Sequence, residues 1–259
     1  MKRILILVAA VLVLLVLIAV AMIPGLDSNG VKTKIVHDEL LVIYNDGTVI
    51  NMGPVEDLKN SDCLDFYPLP DGTYGVKMGK AEYLEEITIP SHYRGCAVTR
   101  ILASGFAGAT NLMRITIPDT VTVIENGAFQ SCKRLERVDM GRGVTTIETS
   151  AFDSCTSLRN ITLSENLQTI GISAFGDCRS FTEIRIPDHT KRIEAEAFKN
   201  CYNVESIIIP IRVESIGTSA FTGEYKADLH YAGTAEQWLS ITNNGAWSSW
   251  FTKHFESTP

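Results

Sequence analysis

The chain has no block of lysine or arginine, and its 23 basic residues are outnumbered by 30 acidic ones, for a formal net charge of −7. A nucleic-acid binder shows a clustered basic footprint, so that class is set aside. The mild acidity otherwise speaks only to solubility. Motifs that carry chemistry are missing as well. There is no HExxH, no GxSxG and no P-loop pattern. The five histidines, His37, His92, His189, His230 and His254, are scattered without metal-ligand spacing. Glu85 and Glu86 are adjacent, and neighbouring side chains point apart in a strand, so they make a poor acid–base pair. With neither a catalytic constellation nor a metal or cofactor signature, an enzyme is not expected, nor is any cofactor.

What the chain does have begins with a long apolar run. Lys2 and Arg3 precede twenty uncharged residues, Ile4 to Ile23, which end at Pro24-Gly25. A helix of that length rises about 30 Å, the thickness of a bilayer's hydrocarbon core. Residues 1–25 therefore read as an N-terminal transmembrane anchor, with the two basic residues inside and everything after Gly25 outside. A cleaved signal sequence is the alternative, because Ala19-Val20-Ala21 resembles a cleavage site. Either reading puts the rest on the extracellular face of the membrane, or releases it as a secreted protein.

The second positive feature is a repeat. Phe106, Phe129, Phe152, Phe175, Phe198 and Phe221 recur at intervals of 23 residues. Three residues after Phe stand Ala109, Cys132, Cys155, Cys178 and Cys201; six after it Leu112, Leu135, Leu158, Phe181 and Val204. Further apolar columns lie nine, eleven and eighteen residues on, while the columns between them vary freely. A coil that buries constant columns against its neighbours produces this pattern. In Leu112–Pro118 the alternation has period two, so Ile115 and Ile117 face inward while Arg114 and Thr116 face out. A short extended piece follows, as at Val121–Ile124. The stretch Glu125–Cys132 then reads as about one turn of helix presenting Ala128, Phe129 and Cys132 to the core.

This 23-residue unit, seen in Cys132–Ser154 with Met140 and Gly141 in place of Ile-Pro, resembles the BspA-type leucine-rich repeats common on bacterial surface proteins. The resemblance covers about 83–221. It implies a right-handed leucine-rich-repeat solenoid, α/β but predominantly β, with short strands and short helical corners, and a role in surface adhesion or ligand binding. The expected organisation is an anchor (1–25), a tether with a β-hairpin (26–60), an N-terminal cap and first repeat (61–101), the repeats (102–226), and a C-terminal capping strand and helix (227–259). Tyr231-x-Gly233-Thr234-x-x-Gln237-Trp238 resembles the family's terminal coil, with Thr234 as helix N-cap and Trp238, Leu239 and Ile241 as the apolar side. Trp247, Trp250 and Phe251 either cover the last coil or form an aromatic site.

Two candidate sites remain. The cysteine column is a row of thiols spaced by about 4.8 Å, which cannot converge on a metal. It reads as small buried residues, with disulfides between coils left open. A disulfide between Cys63 and Cys96 is likewise open. The outward face of the strand ladder is the candidate binding surface. Its first row is Arg114, Arg137, Asn160, Glu183 and Ser206; its second is Thr116, Asp139, Thr162, Arg185 and Ile208. Cross-strand pairing of Asp139 with Arg114 and Arg137 is the bland alternative, a merely solvated face. The expectation is a protein or host-surface ligand, with no nucleic acid and an undetermined oligomeric state. A targeting module for a separate enzyme and a structural spacer are the other readings.

Overall fold

The computed structural model describes residues 31–36, 39–44, 49–54, 63–223, 227–241 and 252–255. It divides into two units, 1–59 and 60–259. In the first, β1 (Val31–Val36), β2 (Glu39–Tyr44) and β3 (Val49–Pro54) form an antiparallel sheet in that order. The expected hairpin is the β2–β3 pair; β1 adds a third strand within the stretch read as a tether. The expected anchor lies outside the described residues, among which no helix is long and apolar enough to cross a membrane.

The second unit is a predominantly β solenoid with little helix. Its N-terminal cap is the antiparallel hairpin of β4 (Asp65–Pro68) and β5 (Tyr74–Lys77). The turn is held by Asp71, whose carboxylate accepts from the Thr73 hydroxyl at 2.6 Å and the Thr73 amide at 3.0 Å. β6 (Glu86–Thr88) opens the first coil. The extra residues before Val98 form a miniature hairpin of β7 (His92–Tyr93) with the start of β8 (Cys96–Ile101). Arg94 and Gly95 turn it with φ of 52° and 77°, the left-handed pair that suits a tight hairpin. Tyr93 stacks on Phe66 with ring centroids 4.1 Å apart and meets the edge of Tyr74, lidding the cap.

Two parallel ladders run through the coils. One collects the second extended pieces: β10 (Val123–Ile124), β12 (Thr146–Ile147), β14 (Thr169–Ile170), β16 (Arg192–Ile193) and β18 (Ser215–Ile216), continuous from β8 and the cap. The other collects the I-x-I strands: β9 (Arg114–Ile117), β11 (Arg137–Met140), β13 (Asn160–Thr162), β15 (Glu183–Arg185), β17 (Ser206–Ile209) and β19 (Asp228–Tyr231). Between the ladders lie the six phenylalanines. Consecutive rings stack with centroids 4.9–5.3 Å apart and planes within 19° of parallel, and each ring is at most 2% exposed.

The corners are not helical, contrary to expectation. The five from Phe106 to Phe198 are turns bracketed by left-handed residues two before and two after Phe, as at Ser150 and Ser154 around Phe152, Ser173 and Asp177 around Phe175, and Glu196 and Asn200 around Phe198, these six with φ of 51–61°. A residue with φ > 0 breaks a right-handed helix. The amides then alternate. Ala128, Gln130 and Cys132 donate three residues back within the turn, while Gly127, Phe129 and Ser131 donate to Thr149, Ala151 and Asp153 of the next coil at 2.7–2.9 Å. The corner is thus a third intercoil ladder.

At the C-terminal end, the I-x-I pattern slips by one residue, so Leu229 and Tyr231 face inward and His230 outward. Helix α1 (Ala235–Ile241) is opened by a reciprocal cap: the Gln237 amide donates to Thr234 Oγ1 at 3.3 Å, and the Thr234 amide to Gln237 Oε1 at 2.9 Å. Trp238 and Ile241 are buried, but Leu239, expected on the apolar side, is 60% exposed. A last strand, β20 (Thr252–Phe255), pairs parallel with β19. Trp247, Trp250 and Phe251 lie outside the described residues.

Candidate functional site

The cysteine column is the first candidate to test. Cys132, Cys155, Cys178 and Cys201 are buried, and none of the six cysteines is in a disulfide. Each column thiol points its sulfur at the carbonyl of the phenylalanine one coil earlier: Cys132 to Phe106 at 3.0 Å, Cys155 to Phe129 at 3.1 Å, Cys178 to Phe152 at 3.2 Å and Cys201 to Phe175 at 3.4 Å. The thiol is therefore a small hydrophobe with one directed hydrogen bond, a partner that the sequence pattern did not disclose. Contact with Cys132 and burial push the Cys155 thiol up, and burial pushes Cys178 and Cys201 up. Thiols held neutral in this way are structural and unreactive. Among the described residues no cluster of His, Cys, Asp or Glu converges as a metal site.

The strand face is different. The register stacks Arg114, Arg137 and Asn160 in one row and Thr116, Asp139 and Thr162 in the next. In the following coils Glu183 stacks on Ser206, and Arg185 on Ile208. These side chains are exposed or half-buried while Ile115, Val138, Ile184 and Ile207 beneath them are buried. The charges pair more locally than expected. Arg137 reaches Asp139 on its own strand at 2.7 Å, and Arg185 reaches Glu183 at 3.1 Å. Arg114 pairs with Glu86 of the first coil at 3.3 Å rather than with Asp139. The hydrogen bond that Arg137 donates to Asp139 also raises the Arg137 pKa.

Two rungs extend this face beyond the expected set. His230 follows Ile208 in the second row, and His254 of β20 follows His230. Their rings stack at 4.7 Å, and His254 Nε2 lies 3.6 Å from Asp228. The one-residue shift that turns Leu229 and Tyr231 inward is legible in the sequence and leaves His230 outward, whereas the separation of β20 from the last repeat conceals His254. A groove of about 1440 Å³ lies along this side, bordered by Arg137, Thr162, Arg185, Ile208, His230 and His254 among others.

The ladder is also interrupted. β13 ends one four-stranded sheet, in the order β13-β11-β9-β6, and β15 begins another, β15-β17-β19-β20. The candidate residues thus occupy two half-faces, Arg114 to Thr162 and Glu183 to Ile208, which meet at an opening inside the groove.

The model of the BspA type leucine rich repeat region matches residues 99–228 in six copies. The chain belongs to this family. A leucine-rich repeat protein of T. pallidum is similar in structure with a TM-score of 0.56, at 22% identity over 66% of this chain and 84% of that one. A leucine-rich repeat protein from Bacteroides ovatus also gives 0.56, at 28% identity over 64% of this chain; the match spans only 45% of that protein. Both support the leucine-rich-repeat fold. No curated protein matches the chain at a significant level.

Proposed function

We propose that this BspA-type repeat protein is a non-catalytic binding module that recognises a protein ligand, in the adhesion setting a host-surface protein, through the outward face of its I-x-I ladder. The observation that carries the reading is the contrast between constant and varied columns. Core residues repeat from coil to coil, while the overlying rows differ at nearly every rung and border a groove of about 1440 Å³. A solenoid's stacked face is a rigid, preorganised surface, the usual place for a partner. Presentation would be outside the cell, with residues 1–25 holding the unit at the membrane, or with release after cleavage.

Replacing Arg114, Arg137 and Arg185 together by alanine tests this reading. Against a panel of purified extracellular-matrix and cell-surface proteins, binding by the parent chain is expected to fall at least tenfold in the triple variant. Circular dichroism should be unchanged, because all three side chains are exposed. Unchanged binding would contradict the proposal. The second reading, a surface spacer, is favoured by one observation: the Arg137–Asp139 and Glu183–Arg185 pairs leave little free charge to offer a partner. A spacer binds none of the panel.

A further inference from the structure

The interruption between β13 and β15 is a local opening and not a break in the molecule. On the opposite side the ladder is unbroken: Ile147 pairs with Ile170, and Ile170 with Ile193. The corner bonds continue as well, from Phe152 to Ala174 and from Phe175 to Ala197 at 2.7–2.8 Å. Even on the open side both ends of the gap are tied. Ser180 Oγ donates to the Thr156 carbonyl at 2.7 Å, and His189 Nδ1 meets the Glu165 carbonyl at 3.0 Å. Only the strand between those ties is splayed. Most residue pairs of β13 and β15 lie more than 8 Å apart at Cα, whereas strands on either side hold ordinary sheet spacing.

The missing bonds can be named from the intact rungs. Elsewhere the residue before each strand donates back one coil: Glu136 to Met113, Arg159 to Glu136, Glu205 to Thr182, at 2.8–3.2 Å. At the end of other strands an amide donates forward, Ile89 to Thr116 and Ile186 to Ile208, at 2.9–3.0 Å. The counterparts, Thr182 to Arg159 and Leu163 to Arg185, are not made among the described residues. Two strand edges with free amides and carbonyls therefore face each other. The floor between them is apolar. Ile161 and Leu163 are only half-buried, although their equivalents Ile115 and Ile117 are at most 2% exposed. Beneath lies Phe181, the bulkiest member of the column otherwise held by Leu112, Leu135, Leu158 and Val204, tilted 57° against Phe175. A ring where other coils place an aliphatic side chain is the local difference in sequence that accompanies the opening.

We propose that this gap is a slot for one extended peptide segment of a partner protein, which enters as a parallel rung between β13 and β15. Strands lie about 4.8 Å apart, so one inserted strand needs its two neighbours about 9.6 Å apart, and most β13–β15 pairs already lie beyond 8 Å. Both edges then regain their hydrogen bonds, as in strand addition at an open sheet edge. Register sets the chemistry of the guest. Positions aligned with Ile161 and Ile184, and with Leu163 and Ile186, point to the floor and take apolar side chains. The position between them faces out beside Thr162 and Arg185 and takes a polar one. Because Glu183–Arg185 and Arg159–Glu136 are already paired at the rim, the guest needs no net charge. The inference rests on the binding-face reading and names the partner's chemistry there: a segment of the form apolar–polar–apolar in extended conformation.

The test uses the full chain in detergent and a synthetic peptide of sequence NLMRITIP, identical to Asn111–Pro118, which carries that pattern. Hydrogen exchange of the free chain is expected to be fast at the amides of Leu163, Glu183 and Arg185 and slow at their counterparts Met140, Ser206 and Ile208. Saturating peptide should slow the three fast amides at least tenfold. Two control peptides, N-methylated at the residue corresponding to Ile115 or to Thr116, should each bind at least tenfold more weakly, because an inserted strand uses amides on both of its edges. The proposal is overturned if the three amides are already slow in the free chain, whether the gap has closed or a second copy fills it. It is equally overturned if the peptide does not bind at millimolar concentration, or if N-methylation is tolerated. Partner binding that is lost in the R114A/R137A/R185A variant while the peptide fails removes strand insertion and leaves the binding-face reading standing.

Discussion

At the scale of single residues, the repeat made the inward positions readable, because one chain supplied several aligned copies of itself. Phe152 and Cys155 were expected inside and are fully buried. The hydrogen bond from the Cys155 thiol to the Phe129 carbonyl was not legible, since a column shows that a residue is small and apolar but not where its proton goes. Replacing Phe152 by alanine removes one ring from a continuous stack. It should cost about 3–5 kcal/mol in urea unfolding, the usual loss for a buried Phe. The thiols give a pH signature. Burial holds Cys178 and Cys201 at folded pKa values above their unfolded ones, so the folded chain holds protons that the unfolded chain has released. Their stabilisation is complete below about pH 8.5 and declines as pH rises, by about 1.4 kcal/mol per pH unit for each thiol. Alkaline denaturation followed by fluorescence should steepen accordingly, and Cys178→Ala should remove one thiol's share of the slope. In native protein, iodoacetamide should label the exposed Cys96 quickly and Cys155 only after unfolding, as read by mass spectrometry.

At the scale of elements, the strands were legible and the corners were not. Period-two alternation is a side-chain pattern, and β9, β11 and β17 follow it from Arg114, Arg137 and Ser206. The corners were misread because Ala128, Phe129 and Cys132 fit a helical face equally well, while the deciding feature is a backbone angle. The columns two before and two after Phe hold Gly, Ser, Glu, Asp and Asn, a mixture in which Ser and Glu concealed the left-handed requirement. Gly108 isolates that requirement. A Cβ there meets nothing within 4 Å, yet φ is +68°. Gly108→Ala should therefore lose about 1–2 kcal/mol from conformation alone, measurable as a lower urea midpoint. Gly141→Ala tests the opposite cause. Its φ is ordinary, but the added Cβ would sit 2.5 Å from the Pro118 carbonyl carbon in the coil before, so destabilisation there comes from contact.

For the whole molecule, constant repeat length made the solenoid evident and at the same time hid the interruption of its I-x-I ladder. All five intervals are 23 residues, so nothing in the spacing marks the opening between β13 and β15. Phe181 was visible as a departure within a column, but the consequence of a bulkier ring depends on which side of the coil yields. The candidate rows lie along the I-x-I ladder, divided into two half-faces and lengthened by His230 and His254. On the binding-face proposal, partners meet this side and not the opposite ladder. Photo-crosslinking decides it most directly, with a photoreactive residue placed singly at Thr162 or Ile208 on one face, and at Thr146 or Thr169 on the other. With a protein from the cell-surface panel that binds the parent chain, crosslinks should form from positions 162 and 208 and not from 146 and 169. Crosslinks confined to 146 and 169 would contradict the account.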